Sequence, residues 1–170
     1  MKPSIGCLRI GVAIAAIALT TGAAAAMPHF ECKLRVAEKV TTGRPVRLTF
    51  ELVNRGSAPV RVLKWNTPLE GWFGSFLEVR RDGVEIPYEG PMVKRGAPAE
   101  DDYVRIAPGA KVAATVDLAQ VYPAVAPGIY TIAFTGSLHD VVEGRQKVAG
   151  AERTSVALAC APAQFRIVKR

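Results

Sequence analysis

Apolar and polar residues alternate along most of the chain with a period of two. From residue 30 to 36, apolar side chains take the even positions, while Glu31, Lys33 and Arg35 take the odd ones, and residues 46 to 52 repeat the pattern. Such alternation predicts a half-buried β-strand, because successive side chains in a strand point to opposite faces. Further runs that predict strands lie at residues 60–65, 76–80, 84–88, 103–106, 112–118, 129–135, 156–160 and 165–168.

Turn sequences separate these runs and indicate how the strands are joined. Asp82-Gly83 predicts a tight hairpin, because its residues accept the positive φ angles of a two-residue turn. One short helical turn is expected within residues 117–122, and no helical run is long enough to cross between parallel strands. We therefore predict an all-β fold: an immunoglobulin-like antiparallel β-sandwich of about eight strands.

The first 26 residues have the pattern of a secretory signal peptide. Lys2 and Arg9 precede an uncharged apolar run from Ile10 to Leu19, and the alanines at 24–26 offer a cleavage site. The alternative is a retained membrane anchor, since the uncharged stretch is just long enough to span a bilayer. We expect a signal peptide at 1–26, a single β-sandwich domain at 27–170, and export to the periplasm or the medium.

Composition favours a folded, turn-rich domain, and the placement of its charges argues against a nucleic-acid partner. Of the 170 residues, 49% are apolar, and 15 glycines and 12 prolines disfavour a helical bundle. Loss of the signal would remove two of the 22 basic residues and none of the 15 acidic ones, lowering the formal charge from +7 to +5. The basic residues are scattered along strands, so we expect no nucleic-acid partner, and no membrane partner after signal cleavage.

Two cysteines would remain after cleavage, because Cys7 lies in the signal. Cys32 and Cys160 would then meet an oxidising compartment, which favours a disulfide between the first strand and one of the last. Two buried free thiols are the alternative.

The sequence lacks the motifs of the common hydrolases. His29 and His139 are the chain's 2 histidines and lie too far apart for the zinc motif H-E-x-x-H. His139 and Asp140 are adjacent, but neighbours on an extended chain point to opposite sides. We assign no catalytic, metal-binding or cofactor-binding residue.

Two long loops carry the least ordinary side chains. In the loop Asn66–Ser75, Trp72 and Phe73 either cap the core or form an exposed aromatic ridge for a partner, whereas the preceding Trp65 is expected to close the sandwich core. In the loop Gly90–Asp102, Lys94 and Arg95 are either a solvated charge pair or a basic bait presented to a protease. Trp72, Phe73, Lys94 and Arg95 are thus the candidate partner-binding residues.

Several of these runs are similar to one known family. They are Val62-Leu63-Lys64-Trp65-Asn66-Thr67-Pro68-Leu69-Glu70-Gly71, Phe76-Leu77-Glu78-Val79, Asp82-Gly83, Tyr88-Glu89-Gly90-Pro91-Met92-Val93-Lys94-Arg95 and Asp102-Tyr103. Together they resemble the amino-terminal, non-catalytic β-sandwich (pro-) region of deuterolysin-like (M35) metalloendopeptidases, including the peptidyl-Lys metalloendopeptidases. The similarity covers residues 60–136 well and most of the remaining chain loosely.

The resemblance implies a role beside a peptidase rather than as one. In that family a zinc peptidase domain with H-E-x-x-H and a third aspartate ligand follows this region, and no position of this sequence matches those residues. We therefore expect a protein that is not an enzyme and that binds or restrains a secreted peptidase, as inhibitor or folding partner. The alternative is a structural or adhesive binding domain of the cell envelope, and a minor one is a component of a split metalloendopeptidase.

Overall fold

A computed structural model of the chain describes residues 29–123, 126–144 and 155–170. The predicted signal peptide lies outside these described residues. The strands are β1 (Phe30–Val36), β2 (Lys39–Thr41), β3 (Arg47–Asn54), β4 (Val60–Leu63), β5 (Leu77–Arg81), β6 (Val84–Ile86), β7 (Tyr103–Ile106), β8 (Lys111–Asp117), β9 (Gly128–Phe134), β10 (Ser137–Leu138), β11 (Val141–Glu143), β12 (Val156–Ala157), β13 (Cys160–Ala161) and β14 (Ala163–Val168). Two single 3-10 turns, Glu100–Asp102 and Leu118–Gln120, are the helical elements of the described part.

The strands form two main sheets that pack face to face. A four-stranded sheet has the order β13-β1-β3-β8, and a five-stranded sheet has the order β2-β14-β9-β5-β6. Phe50 from the first and Phe134 from the second meet with ring centroids 5.5 Å apart. A three-stranded sheet, β11-β4-β7, and the short pair β10-β12 complete the fold. The core lies between the sheets and is lined by the inward positions that the alternation marks, such as Leu48, Phe50 and Leu52.

The all-β sandwich prediction is confirmed, and two short parallel pairs add to its antiparallel sheets. Strands β1 and β7 occupy the predicted bounds, and the helical turn falls inside residues 117–122. Most strand pairs are antiparallel, but β13 pairs parallel with β1 and β2 pairs parallel with β14. Both parallel partners are only two or three residues long, and each lies far along the chain from its neighbour. The intervening chain, which runs through other strands, replaces the helical crossover that local parallel strands need.

The Asp82-Gly83 turn and the disulfide are both present. Asp82 has a φ of 50° and Gly83 a φ of 85°, as a two-residue hairpin between β5 and β6 requires. Cys32 and Cys160 are bonded, with their Cα atoms 4.8 Å apart. The bond therefore joins β1 to β13 at the point where these two strands pair.

In the described part of the chain, no helix is long and apolar enough to cross a membrane.

The two long loops leave the sandwich side by side. Leu63 ends β4 and lies opposite Tyr103, which begins β7. The first loop continues from Leu63, and the second loop leads into Tyr103. The backbone N–H of Lys64 donates to the carbonyl of Asp102 at 2.9 Å, which extends the pairing by one residue. The register of β4 and β7 thus places the candidate residues of both loops at one end of the fold.

Candidate functional site

The loop Asn66–Ser75 is held by bonds within its own sequence. The buried Thr67 donates its hydroxyl to the carbonyl of Lys64 at 2.6 Å. Asn66 adopts a φ of 53°, which turns the chain, and its backbone N–H donates to Oε1 of Glu70 at 2.9 Å. The run from Lys64 to Glu70 is therefore a self-bonded turn, which explains why these polar residue types occur at this spacing.

Glu70 also ties this loop to the second one. Its Oε2 accepts a hydrogen bond from Nη2 of Arg95 at 2.6 Å, and its side chain is only 8% exposed. The Arg95 guanidinium carbon lies 5.1 Å from the ring centroid of Trp65 and 5.5 Å from that of Phe73. A cation that lies over aromatic faces and bonds to a nearly buried carboxylate is well fixed. We call Glu70, Arg95, Trp65 and Phe73 the Arg95 clamp.

Trp65 is buried, but it does not close the main core as expected. It packs in a separate small cluster with Leu63, Tyr103 and Val142. Its indole N–H donates to Oδ1 of Asp102 at 3.1 Å. Trp65 therefore supports the two loops rather than the space between the main sheets.

Asp102 holds the end of the second loop through its ionised form. Its carboxylate accepts hydrogen bonds from the backbone N–H of Ala99 and from Trp65, and these lower its pKa from the usual 3.8. Because the pKa is lowered, the stabilisation that these hydrogen bonds give to the folded state is present at neutral pH. It is lost as the pH falls through the lowered pKa of Asp102.

Trp72 is not an exposed anchor, which corrects the aromatic-ridge interpretation for this residue. It is 9% exposed and belongs to the main core, where its ring stacks on Phe76 with centroids 5.1 Å apart. Its indole N–H donates to the carbonyl of Asp117 at 3.0 Å. Phe73, in contrast, is 45% exposed. The two neighbouring side chains thus lie on opposite sides of the chain: the Trp72 ring enters the core, and the Phe73 ring faces solvent and the clamp.

Arg95 and Lys94 also differ from each other. The expectation that both project away from the fold is wrong for Arg95, because Glu70 and two aromatic rings hold it. Lys94 is exposed and makes no ion pair with any described residue. Of the predicted basic pair, only Lys94 is therefore in a position to act as a basic bait.

Two apolar residues that the sequence reasoning missed lie beside Phe73 and Lys94. Met92 is 73% exposed and Val93 is 44% exposed. The backbone N–H of Val93 donates to the carbonyl of Phe73 at 3.3 Å, which joins the two loops directly. We call Phe73, Met92, Val93 and Lys94 the loop surface. It combines three exposed apolar side chains with one cation.

The beginning of the second loop is sterically fixed. The hydroxyl of Tyr88 donates to the carbonyl of Pro91 at 2.9 Å, so the chain folds back on the tyrosine. A Cβ atom on Gly90 would lie 2.5 Å from the Tyr88 ring and 2.6 Å from Val121. Only glycine fits this close approach, and the loop surface is therefore supported at both ends.

His139 and Asp140 contact different partners. Nε2 of His139 lies 3.0 Å from the side-chain amide nitrogen of Asn66, while Asp140 accepts the hydroxyl of Tyr103 at 2.6 Å. Across residues 29–123, 126–144 and 155–170, no three His, Cys, Asp or Glu side chains gather in a way that could hold a metal ion.

The clamp gives a first testable prediction. Arg95→Ala would leave the nearly buried Glu70 carboxylate without its cation and remove both stacking contacts. We expect it to lower the free energy of unfolding by about 1–3 kcal/mol, measured by urea denaturation. Lys94→Ala changes the neighbouring, exposed cation and is the matched control, expected to stay within about 0.5 kcal/mol of the wild type. Equal stability of the two variants would contradict the clamp.

No protein-family model matches the chain. It is similar to a protein of Aeromonas hydrophila named extracellular protease, with 36% identity over 93 residues, which cover 52% of this chain and 25% of that protein. It is also similar to a probable neutral protease 2 homolog of Arthroderma benhamiae, with 25% identity over 134 residues, 77% of this chain and 36% of the relative. A neutral protease 2 homolog of Arthroderma gypseum is 26% identical over 128 residues, 74% of this chain and 34% of its own.

Among solved structures, the chain is similar to a CARDB domain from Pyrococcus furiosus solved in complex with di-metal ions. The TM-score is 0.38 at 11% identity, with 84% of this chain and 96% of that chain covered. This likeness is too distant to carry an argument about ligands. The chain thus resembles protease-named proteins, and it spans only about a quarter to a third of the length of these curated relatives.

Proposed function

We propose that this chain is an exported, non-catalytic β-sandwich protein that binds a secreted peptidase and restrains it. The names of the relatives associate its sequence with proteases, one of them extracellular, and the matched stretch is a minor part of each relative. The observation that carries the proposal is the loop surface itself, where Phe73 and Lys94 stand exposed on two loops that the Arg95 clamp fastens together.

The loop surface has the chemistry of a protein-binding site. Aromatic anchors dominate binding energies at interfaces, and Phe73 is one whose position the Arg95 guanidinium already restrains. A loop that is ordered before binding loses less conformational entropy when a partner docks. The surface therefore presents an apolar contact and a single exposed cation in a fixed arrangement.

Lys94 gives the site its specificity in this proposal. A lysine-directed peptidase has an acidic pocket that accepts an extended lysine side chain, and Lys94 is exposed for such an approach. The clamp on the adjacent Arg95 restricts the backbone beside it, which opposes the distortion that cleavage requires. Lys94 would thus occupy the pocket without being cut productively.

The test is an inhibition titration of a purified lysine-directed zinc endopeptidase with the exported protein. We expect Phe73→Ala and Lys94→Ala each to weaken binding by about 1–3 kcal/mol, because both remove an exposed contact at the centre of the surface. Val84→Ala and Lys39→Ala are matched controls, since they remove an exposed valine and an exposed lysine elsewhere. Both controls should bind like the wild type.

Two outcomes would contradict the proposal. Binding that is unchanged by Lys94→Ala would remove the bait role, and an absence of any binding to the peptidase would remove the peptidase partner. Retention of the wild-type protein on isolated cell envelopes, without an effect on peptidase activity, would instead favour the structural or adhesive role.

A further inference from the structure

Lys94 lies between two contacts that reach the same neighbouring loop. On one side of it, the backbone N–H of Val93 donates to the carbonyl of Phe73 at 3.3 Å. On the other side, Nη2 of Arg95 donates to Oε2 of Glu70 at 2.6 Å, and the Arg95 guanidinium lies over the Phe73 ring. The first loop therefore spans the Lys94–Arg95 peptide bond and holds the chain on both sides of it.

The backbone around Lys94 is open to a peptidase. Residues 91–97 are all exposed, and residues 91–96 form neither a strand nor a helix. Peptidases cut exposed loops of this kind in preference to strands, whose backbone groups are already bonded. Lys33, Lys39 and Lys111 lie in strands β1, β2 and β8, and are protected in this way.

A cut between Lys94 and Arg95 would not separate the two parts of the chain. Cys32 and Cys160 lie on opposite sides of this bond, so the disulfide joins the parts covalently. Both main sheets also combine strands from the two parts: β1 and β3 lie with β8 and β13 in one, and β5 and β6 lie with β9 and β14 in the other. The new ends would thus remain beside each other on the first loop.

Ends that stay together can be joined again. Hydrolysis adds the hydroxyl of water to the carbonyl carbon of Lys94 and a hydrogen to the nitrogen of Arg95. In a free peptide the two products then diffuse apart, which drives the reaction forward. Two tethered products have a high effective concentration instead, which favours the reverse reaction. A peptidase catalyses both directions, and resealing releases the same molecule of water.

We propose that the Lys94–Arg95 bond is a reversible reactive site. A lysine-directed peptidase cuts the bond, the first loop holds both new ends in place, and the same peptidase reseals it. This inference rests on the proposed function, because it describes what happens to the bait inside the peptidase. The cut protein keeps its loop surface, so it continues to occupy the peptidase and is not consumed as a substrate.

A lysine-specific serine endopeptidase, added in catalytic amount to the exported protein, is the probe. Cut protein is purified and returned to the same peptidase. Mass spectrometry after reduction then measures the fraction of molecules in which the Lys94–Arg95 bond is intact. We expect intact and cut protein to reach the same mixture, with at least about a tenth of this bond intact. A bond that is never cut, or cut protein that never regains it, would overturn the proposal.

Glu70→Gln tests the contact that holds one of the new ends. Glutamine at this position keeps an oxygen that can accept the N–H of Asn66, but it lacks the carboxylate that binds Arg95. We expect the intact fraction at equilibrium to fall about tenfold or more. Glu78→Gln removes the exposed ion pair with Arg80 and is the matched control, expected to reseal like the wild type. Equal resealing of Glu70→Gln and wild-type protein would contradict the inference.

The reactive site and the proposed peptidase partner can fail separately. The serine endopeptidase is not the proposed partner, so resealing is measured without the zinc endopeptidase. Normal resealing without inhibition of the zinc endopeptidase would remove that partner and support the reactive site. Inhibition of the zinc endopeptidase without resealing would overturn the reactive site and support the proposed function.

Discussion

Trp72→Ala should be among the most destabilising single substitutions in the chain, lowering the free energy of unfolding by about 3–5 kcal/mol. The ring stacks on Phe76 and meets the edge of Tyr122, with centroids 5.1 and 6.0 Å apart. Its removal would leave a cavity in the main core and would release the hydrogen bond to the carbonyl of Asp117. Urea denaturation followed by tryptophan fluorescence or circular dichroism measures the loss.

Phe73→Ala is the matched control for this substitution. The two residues are neighbours and both are aromatic, but Phe73 is 45% exposed and its described ring contact is with Arg95. Loss of that cation–π contact should cost no more than about 1 kcal/mol. Trp72→Phe keeps most of the ring and removes the N–H donor, so it should fall between the two. A stability of Trp72→Ala close to that of Phe73→Ala would show that Trp72 does not pack in the core.

The sequence was sufficient for the longer strands because their signal is local. Alternation along residues 30–36 and 103–106 depends only on which face of a strand is buried, and the structure has strands at those bounds. The Asp82-Gly83 turn was predictable for the same reason, since its φ angles are a property of the two residues themselves. The parallel partners β2 and β13 were not predictable in this way, because a strand of two or three residues has no pattern of its own.

The side chains of the loops could be identified but not oriented. Trp72 and Phe73 have similar apolar character, and a loop without a period does not indicate which of two neighbours is buried. Arg95 binds Glu70 across 25 residues of sequence, a pairing that depends on the register of β4 with β7. Met92 and Val93 are apolar, and composition alone would have placed them inside. Exposure of apolar residues at a loop surface is therefore information that only the structure supplies.

Removal of the Cys32–Cys160 bond should produce the largest loss of stability of all. The bond joins residues separated by 128 positions, and the chain-entropy account assigns about 5 kcal/mol to a loop of that length. That value is comparable to the whole stability of a small domain. The double variant Cys32→Ala/Cys160→Ala avoids a free thiol, and we expect its melting temperature to fall by about 10–20 °C in a calorimetric scan.

The local structure explains why breaking the disulfide should also release strand β13 from the sheet. Strand β13 is two residues long and pairs with β1 only at Cys32–Cys160 and Lys33–Ala161, so little else keeps it on the sheet. Wild-type protein reduced under denaturing conditions and refolded in reductant is the control, and it should match the double variant. A double variant within about 1 kcal/mol of the oxidised wild type would show that the loop is constrained by packing instead. Two thiols that react with iodoacetamide in the native protein would show that the bond does not form.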